Sequence, residues 1–587
     1  MNEDEKRLAE ELLFSDRKAP SFVKQLFFGK FDAEQVFPFP HPLGKERGEI
    51  ESFLLKIRGF AKTHINAEKI DREAKIPDFV IQGLADLGVL GMTVPKEFGG
   101  LGMSQYAYCR VTEELSRACA STALYVNVHQ SIGLKSLLLF GTEPQKKKWL
   151  PSLASGEITA AFSLTEPNAG SDANGIETRA IYDPDKKVYR INGQKQWTTN
   201  GGIAKILTVM AKTPIKTSAG IEDKVTAFLV TPDMPGFSVK ECALEKVGMR
   251  GTWTANLEFK DLEVPEENVL GPLGKGLKVC LTVLDFGRVT FGSTCTGTAK
   301  ELVERAIHHA KKRHQFGRPL GSFALVKKEI ALMSAFAYAM EATTYLTAGF
   351  IDNHLEDFML EAAILKVFAS DAQWQILFDS MQIFGGRSFF TDAPFERMMR
   401  DARLNMIGEG ANEVLRAFIG LVGVRDTSVE LRDAADGFKR FFVEFGKIAK
   451  TAGSVISRLK APLVPVSSPL LKREASMLSK IIRRFSCAVV KLLARYGEDL
   501  IERQLQLDRL TSIVMAIYSS TAVLSRLDFD LARKDKGVEA LQQDLEIGKL
   551  YCHQSLRMAS RFLKAIDCND DDQIEKLSDL ITGITTK

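Results

Sequence analysis

The stretch KVTAFLVTPDMPGFSVKE, residues 224–241, decides the fold, because it has a strand pattern between two long helical regions. Short runs of β-branched and aromatic residues alternate here with proline, aspartate and glycine, as in strands that are joined by tight turns. KKVYRINGQKQW, residues 186–197, has the same character. We therefore expect residues 160–275 to form an antiparallel sandwich or barrel.

Both flanks of this β-domain have the three- and four-residue apolar spacing of amphipathic helices, for example Leu54, Ile57 and Ala61 before it and Leu302, Val303 and Ala306 after it. The predicted fold class is mainly α with a β-domain. The order is a tail, an N-terminal α-domain, a middle β-domain, a C-terminal α-helical domain, a linker and an additional α-helical domain. These parts are predicted at residues 1–45, 46–159, 160–275, 276–425, 426–475 and 476–587.

Composition excludes several classes of protein. A chain of 587 residues is too long for one hydrophobic core, and its net charge of +4 is too small to indicate a nucleic-acid binder. No apolar run reaches the roughly 18 residues of a membrane-spanning helix. The eight cysteines include no CxxC pair, which favours a reducing compartment. The acidic start MNEDEKRLAEELLF is unlike an import presequence, so either a presequence was removed or none exists.

Several common catalytic motifs are missing from the sequence. No GxGxxG follows a predicted strand, and there is no GxxxxGK[ST]. The sequence therefore predicts neither a nicotinamide-binding site nor a P-loop nucleotide site. There is no HExxH, and the neighbours His308 and His309 cannot share one helix face, so no metal site is predicted. No GxSxG indicates an acyl hydrolase.

Four other segments carry polar or glycine-rich patterns. Each pattern alone is weak evidence for a function, but the four together are specific. Taken alone, FSLTEPNAGSD (162–172) is typical of an ordinary turn, and QWTTNGG (196–202) is typical of a hairpin. QIFGGRSFF (382–390) is typical of a helix end, and ERMMRDARLNMIGEG (396–410) is typical of a solvated helix that runs into a glycine turn. Their joint order, with RHQFGRPL between them, resembles that of the acyl-CoA dehydrogenases, flavoproteins that oxidise the α,β-bond of acyl-CoA thioesters. The resemblance covers about residues 50–425.

The resemblance implies the acyl-CoA dehydrogenase fold, FAD as the cofactor, an acyl-CoA substrate, electron-transfer flavoprotein as the electron acceptor, and a homodimer. FFGKFDAEQVFPFP near the start and EDLIERQLQLDRLTSIVMAIYSSTAVLSR (498–526) resemble the membrane-associated long-chain subgroup. That subgroup contains very-long-chain acyl-CoA dehydrogenase and acyl-CoA dehydrogenase family member nine. The resemblance to this subgroup implies a mitochondrial protein that lies peripherally on the matrix side of the inner membrane.

The resemblance also assigns roles to single residues. Glu409 is the expected base, which removes the proton α to the thioester while a hydride leaves for flavin N5. Its own N–H and a flavin hydroxyl would stabilise the enolate charge. The expected FAD-binding residues are Phe162, Leu164, Thr165, Gly170, Ser171, Trp197, Thr198, Thr199, Arg313, Gln315, Phe316, Gln382, Gly385, Gly386, Ala411 and Glu413. The expected substrate-binding residues are Ser171, Asp285, Phe286, Gly287, Arg288 and Gly410.

The chain departs from the family pattern at Thr198, Ser388, Gly408 and Ala411. Gly408 replaces a larger residue before the base, which loosens the backbone and removes a wall of the acyl cavity. At the expected floor of that cavity, Ala123 permits a deep pocket, whereas Asn127 is bulkier and polar.

Two alternative functions remain, and one further segment allows more than one role. A scaffold protein for respiratory complex I assembly would use the same fold with weak catalysis. An acyl-CoA oxidase is disfavoured, since the C-terminal ITTK is not a peroxisomal address. Residues 437–461 combine phenylalanines at helical spacing with six cations. This pattern is typical of a helix that lies in a membrane interface, packs on the additional α-helical domain or binds a partner.

Overall fold

A computed structural model of the chain describes residues 21–217, 220–439, 460–533 and 538–584. These residues form two compact units. The first unit consists of residues 41–411, and the second combines residues 21–40 with residues 412–584. The predicted amphipathic segment 437–461 lies almost wholly in residues 440–459, outside the described residues.

Helices form the N-terminal part of the first unit. Two short helices of the second unit, α1 (Phe22–Phe27) and α2 (Ala33–Val36), precede them in a segment that was predicted as a tail. The apolar spacing in 46–64 buries Leu54 and Ile57, and a capping box of Thr142 and Gln145 starts the last helix. The helices are α3 (Gly44–His64), α4 (Ala67–Glu73), α5 (Asp78–Asp86), α6 (Gln105–Ala118), α7 (Ala120–Asn127), a π-helix (Val128–Leu134), α8 (Lys135–Phe140) and α9 (Glu143–Ser155).

The predicted β-domain is an eight-stranded sheet with the order β6-β7-β3-β2-β4-β5-β8, and β1 pairs with β4. Most pairs are antiparallel, but β1 and β2 each run parallel to β4. Alternate residues such as Tyr189 and Ile191 are buried against Phe228 and Leu257 in one core cluster. The strands are β1 (Ala160–Ser163), β2 (Arg179–Asp183), β3 (Val188–Thr198), β4 (Ile206–Thr217), β5 (Gly220–Val230), β6 (Phe237–Glu241), β7 (Ala255–Pro265) and β8 (Val269–Leu270).

Long helices complete the first unit. They are α10 (Gly276–Lys312), α11 (Ala324–Asp352), α12 (Met359–Phe384) and α13 (Phe395–Leu404). A small hairpin of β9 (His314–Gln315) and β10 (Arg318–Pro319) separates the first two of these helices. Because α10 packs against both α11 and α12, it runs through the middle of this layer and can carry residues to the site.

The second unit is helical. Its longer helices are α14 (Asn412–Lys439), α15 (Lys472–Tyr496), α16 (Gln504–Arg533), α17 (Val538–Ala565) and α18 (Asp571–Thr582). By length and composition α16 is apolar enough to cross a membrane, but 94% of its apolar window is buried. That degree of burial is typical of the central helix of a soluble bundle.

Candidate active site

The expected base, Glu409, lies in a tight loop directly after α13. The N–H groups of Ile407 and Gly408 donate to Leu404 O at 2.9 and 2.8 Å, which closes the end of that helix. Glu409 then takes a left-handed backbone conformation with φ of 56°, followed by Gly410 at 99°. A residue other than glycine in this conformation costs about 1–2 kcal/mol, so the surrounding structure must hold it there.

Two buried cations hold this loop by its main-chain carbonyls. Arg288 Nε, on α10, donates to Glu409 O at 3.3 Å, and Lys366 Nζ, on α12, donates to Gly410 O at 2.7 Å. No acceptor among the described residues takes the Glu409 N–H. The loop is therefore fixed through its carbonyl oxygens, and this N–H remains available to a ligand.

The side chain of Glu409 occupies space that α10 leaves open with a glycine. A Cβ added at Gly287 would lie 2.3 Å from Glu409 Oε2, which is far inside van der Waals contact. One turn of helix α10 therefore supplies both the space for the carboxylate, at Gly287, and a clamp on its main chain, at Arg288.

The carboxylate has the electrostatics of a base that is matched to neutral pH. Glu409 Oε2 is buried and has no hydrogen-bond partner among the described residues. Burial raises the pKa of Glu409 to about 7, although the positive charges of Arg288 and Lys366 act in the opposite direction. A general base is most effective when its pKa lies near the working pH.

The expected substrate segment DFGR, residues 285–288, lies beside this loop. Arg288 donates to Asp285 Oδ1 at 2.9 Å, and both side chains are buried. The Phe286 ring packs edge-on against Phe358, with Lys135 Nζ 4.9 Å from its centroid. The structure therefore brings Gly287, Arg288 and Gly410 together around Glu409, while a contact of this segment with the CoA portion stays a prediction.

Two of the expected flavin-binding segments meet on the β-domain. The hydroxyls of Ser163 and Thr198 are 2.8 Å apart, and Gln196 N donates to Thr165 O at 2.9 Å. Thr198 is therefore buried and satisfied within the protein, while Trp197 beside it is 62% exposed. This arrangement places residues 162–165 next to residues 196–198.

A buried ion pair, which the sequence did not reveal, holds the polar turn in place. Lys195 Nζ lies 2.6 Å from Glu166 Oε1 and donates to Leu164 O at 2.9 Å. Glu166 also accepts from the Thr178 N–H. The turn from Leu164 to Ser171 is thereby anchored to β3. Glu166 stands inside LTEPNAGSD, but nothing in the spacing of Lys195 indicated that it is buried.

The remaining expected FAD contacts in the first unit come together where α10 and α12 end. The ring of His309 stacks on Phe384, with centroids 4.1 Å apart, so β9 and the turn at Gly385 lie close to each other. The side chains here are exposed, and Phe316 is 93% exposed. The group consists of Arg313, Gln315, Phe316, Gln382, Gly385 and Gly386. Nearby, the Ser388 hydroxyl donates to Gly385 O, so this departure from the family pattern stabilises the turn.

The last two expected FAD contacts are Ala411 and Glu413, which belong to different units. Ala411 ends the first unit, and Glu413 lies exposed in the first turn of α14 in the second. Their predicted contacts with FAD stay predictions.

The residues present fit a flavin dinucleotide. Added Cβ atoms at Gly170, Gly385 and Gly386 would meet nothing within 4 Å, so a cofactor could approach the main chain at all three positions. The exposed indole of Trp197 offers a face for an aromatic ring system. Arg313 offers a bidentate donor for a pyrophosphate. This donor set matches the cofactor that the sequence predicts.

Comparison with known domains covers most of the chain. Residues 48–157 match the acyl-CoA dehydrogenase N-terminal domain, 161–262 the middle domain and 274–422 the C-terminal domain. The chain belongs to the acyl-CoA dehydrogenase family. Residues 469–586 match the ACAD9/ACADV C-terminal domain. The predicted family, subgroup and fold class of this acyl-CoA dehydrogenase are therefore confirmed.

Relatives of this acyl-CoA dehydrogenase align over nearly its whole length. It is 35% identical to the mouse very long-chain specific acyl-CoA dehydrogenase, mitochondrial, over 88% of this chain and 80% of that protein. It is 33% identical to the probable acyl-CoA dehydrogenase FadE10 of Mycobacterium tuberculosis over 99% and 91% of the two chains.

Two solved structures share the fold. The crystal structure of acyl-CoA dehydrogenase complexed with FAD from Bacillus anthracis superposes with a TM-score of 0.79 and 27% identity, and covers 96% of this chain and 95% of that one. A chain in the structure of the electron transferring flavoprotein of Acidaminococcus fermentans superposes with a TM-score of 0.60 and 32% identity, over 66% and 98% of the two chains.

Proposed function

We propose that this chain is an FAD-dependent dehydrogenase that converts long-chain acyl-CoA thioesters to trans-2-enoyl-CoA, with Glu409 as the base. The observation that carries the proposal is the buried carboxylate of Glu409, which has a pKa of about 7 and lies in a strained loop that two cations hold by its carbonyl oxygens. A base that is held in this way, with no hydrogen bond of its own to break, can accept a carbon-bound proton.

Each residue of the loop has a role in this proposal. Glu409 takes the proton from the α-carbon of the thioester. The N–H of Glu409 donates to the thioester oxygen as negative charge develops there. Arg288 and Lys366 keep the loop in this orientation and stabilise the ionised carboxylate through their charges. The segments around Phe162–Ser171 and Trp197–Thr199 would hold the flavin of FAD, which would supply an acceptor for the hydride that leaves the β-carbon.

The finer parts of the proposal rest on the relatives. The mouse relative is named very long-chain specific and mitochondrial, which supports long-chain substrates and a mitochondrial location for this chain. The match of 469–586 to the ACAD9/ACADV C-terminal domain supports the membrane-associated subgroup. Electron-transfer flavoprotein is proposed as the electron acceptor because the family resemblance implies it.

A scaffold function is the second candidate, and the loop sequence favours it to some extent. Gly408 and Ala411 depart from the family pattern on either side of the base. However, a Cβ at Gly408 would come no closer than 3.5 Å to Leu404 O, so the loop keeps its conformation without needing glycine there. The departure therefore leaves the position of Glu409 intact.

One experiment separates these functions. The purified protein is examined for a flavin spectrum and then mixed with acyl-CoAs of increasing chain length, with an artificial electron acceptor and separately under air. We expect bound flavin and acceptor-dependent turnover that is greatest with long chains. Flavin without turnover on any chain would favour the scaffold. Peroxide formation under air that equals the turnover with acceptor would favour an oxidase.

A further inference from the structure

Helix α18 has an apolar face that stays exposed in the described structure. Its apolar side chains recur at steps of three and four residues, so they share one side of the helix. Each of them is exposed, by between 53 and 81%. We call this set the α18 face, and it consists of Ile574, Leu577, Leu580, Ile581 and, just beyond the helix end, Ile584. An apolar surface of this kind on a packed helical unit usually marks a docking site.

The helix is attached to its unit by a different side. Arg509 on α16 donates to both carboxylate oxygens of Asp571, and Arg503, directly before α16, lies 3.7 Å from Glu575. On an ideal helix these two carboxylates lie about 135° around the axis from the centre of the α18 face. The ion pairs therefore fix the first turn of α18 and leave its apolar face open.

The charge of α18 restricts what can cover this face. Asp571–Thr582 contains four carboxylates and one lysine, which gives a net charge of −3. A second copy of α18 would bring two acidic helices together, and an anionic lipid surface would also repel the helix. We therefore expect an occupant that is both apolar and basic.

One segment of this chain has both properties. Residues 440–459, which lie outside the described residues, contain four cations and one acid, a net charge of +3. The other long stretch outside the described residues, 1–20, has six acids and four cations, so its net charge of −2 does not suit α18. The 440–459 segment also carries eight apolar side chains larger than alanine, namely Phe441, Phe442, Val443, Phe445, Ile448, Val455, Ile456 and Leu459.

Helix α14 carries the chain past the start of α16, directly before this segment. Thr511 donates to Arg416 O, and a Cβ at Gly420 would lie 2.7 Å from Leu507 O. Four residues forward in α14 thus correspond to four residues back in α16, so the two helices are antiparallel. At 1.5 Å per residue, Lys439 at the end of α14 lies about 24 Å beyond the start of α16.

After the segment, the chain lies far along α16 in the other direction. The N–H of Ser467 donates to Asp528 Oδ1 at 2.8 Å, and Asp528 is about 36 Å along α16 from its start. Residues 460–466 can cover at most about 24 Å of this distance. The chain therefore crosses the level of the start of α16 within residues 440–459.

The α18 face lies at the same level. Because Asp571 contacts Arg509 and Glu575 lies beside Arg503, α18 runs past the start of α16 in the same direction as α14. From Glu575 to its end at Thr582, α18 extends about 10 Å further. Chain connectivity thus brings the 440–459 segment and the α18 face to the same end of the same unit.

We propose that residues 440–459 dock on the α18 face of their own chain. Docking removes the apolar side chains of both partners from water, and their opposite net charges favour this pairing over two copies of α18. The proposal is independent of the dehydrogenase function. It assigns a resident surface to a segment whose pattern is also typical of a membrane interface.

Hydrogen exchange, followed by mass spectrometry on the full-length FAD-loaded protein, tests the docking. The parent is compared with a variant in which a glycine–serine linker of equal length replaces residues 440–459. We expect the α18 amides from Ile574 to Thr582 to exchange at least about tenfold faster in the linker variant, because a short helix that is held only at its first turn is marginally stable. Unchanged exchange in α16 would confirm that the helical unit remains folded.

A second pair of variants tests the α18 face itself. Leu577→Ser combined with Ile581→Ser removes apolar area from the face, so the amides of residues 440–459 should exchange at least about tenfold faster than in the parent. Lys576→Ser is the matched control, because it makes the same kind of change on the same exposed helix but outside the α18 face. In this control the 440–459 segment should exchange as in the parent.

Four results would overturn the proposal. The first is equal exchange of α18 in the parent and the linker variant. The second is release of the segment by Lys576→Ser as large as that by the double variant. The third is a covering second copy, shown by exchange of α18 that slows with protein concentration and by a lower mass of the double variant in sedimentation velocity. The fourth is protection of α18 that occurs only when phosphatidylserine vesicles are added.

Discussion

The carboxylate of Glu409 fills the space that a side chain on Gly287 would need, since a Cβ there would lie 2.3 Å from Oε2. These residues are distant in sequence and belong to different elements, the loop after α13 and the middle of α10. The glycine in DFGR therefore serves the base directly, and Arg288 beside it holds the carbonyl oxygen of the same residue.

Gly287→Ala should impair activity much more than it lowers the free energy of unfolding. The new methyl group displaces the Glu409 carboxylate, and a shift of about 1 Å in a catalytic group costs up to roughly a hundredfold in rate. Alanine is a better residue than glycine inside a helix by about 0.5–1 kcal/mol, which offsets part of the crowding. Flavin reduction by acyl-CoA and urea unfolding measure the two effects.

The matched control for this variant is Gly59→Ala on α3. A Cβ at Gly59 would meet nothing within 4 Å, so this change should stabilise the helix and leave flavin reduction as in the parent. If Gly287→Ala reduces flavin as fast as Gly59→Ala does, the contact between Gly287 and Glu409 has no catalytic importance.

The rate should depend on pH through the Glu409 carboxyl. Burial raises the pKa of Glu409 from 4.5 to about 7, so the group is protonated, and inactive as a base, over most of the range below neutrality. We expect kcat/KM to rise about tenfold per pH unit up to about pH 7 and to level off above it. A limb centred near pH 4.5 would show that the free enzyme holds this carboxylate in a solvated position.

We predict a homodimer whose formation and flavin content depend on Phe316. This side chain is 93% exposed at the tip of the small hairpin, next to Arg313 and Gln315, which are two of the expected FAD-binding residues. Phe316→Ser should lower both the dimer fraction in sedimentation velocity and the ratio of flavin to protein. Phe79→Ser on α5, where the ring is 58% exposed, is the control that should change neither. A flavin-loaded monomer of the parent would contradict the prediction.

Lys195→Met should destabilise the β-domain and release flavin. The change leaves the Glu166 carboxylate buried without its cation, and breaking a buried pair in this way costs about 3–5 kcal/mol. Lys186→Met breaks an exposed pair of similar length with Glu263, 2.9 Å, and should cost less than about 1 kcal/mol. Urea unfolding measures both, and equal costs would mean that the Lys195–Glu166 pair does not anchor the turn.

Local sequence patterns predicted most of the architecture, because such patterns depend only on residues that are close together in the sequence. The change from helical to strand spacing placed the β-domain at 160–275, and its strands extend from Ala160 to Leu270. The π-helix Val128–Leu134 escaped prediction, since its spacing differs little from that of an α-helix. The joining of residues 21–40 with residues 412–584 depends on tertiary packing that no local pattern records.

The candidate site was predictable only where it coincides with a motif. Glu409 lies in a motif. No motif indicates the role of Lys366 or the ion pair between Lys195 and Glu166, because each depends on a contact between distant segments. The sequence shows Asn127 only as a bulkier, polar residue in the expected acyl pocket. Its buried Nδ2 lacks a hydrogen-bond partner among the described residues, which depends on tertiary packing and on no local pattern.

The most direct measurement is anaerobic stopped-flow reduction of the bound flavin by a long-chain acyl-CoA, with the parent, Glu409→Gln and Glu413→Gln compared. Glutamine at 409 keeps the shape of the side chain but cannot accept the proton, so flavin should stay bound while its reduction slows by roughly two to four orders of magnitude. Glu413 lies exposed in the first turn of α14, and its replacement should change the rate little. Reduction in Glu409→Gln at nearly the parent's rate would contradict the assignment of the base.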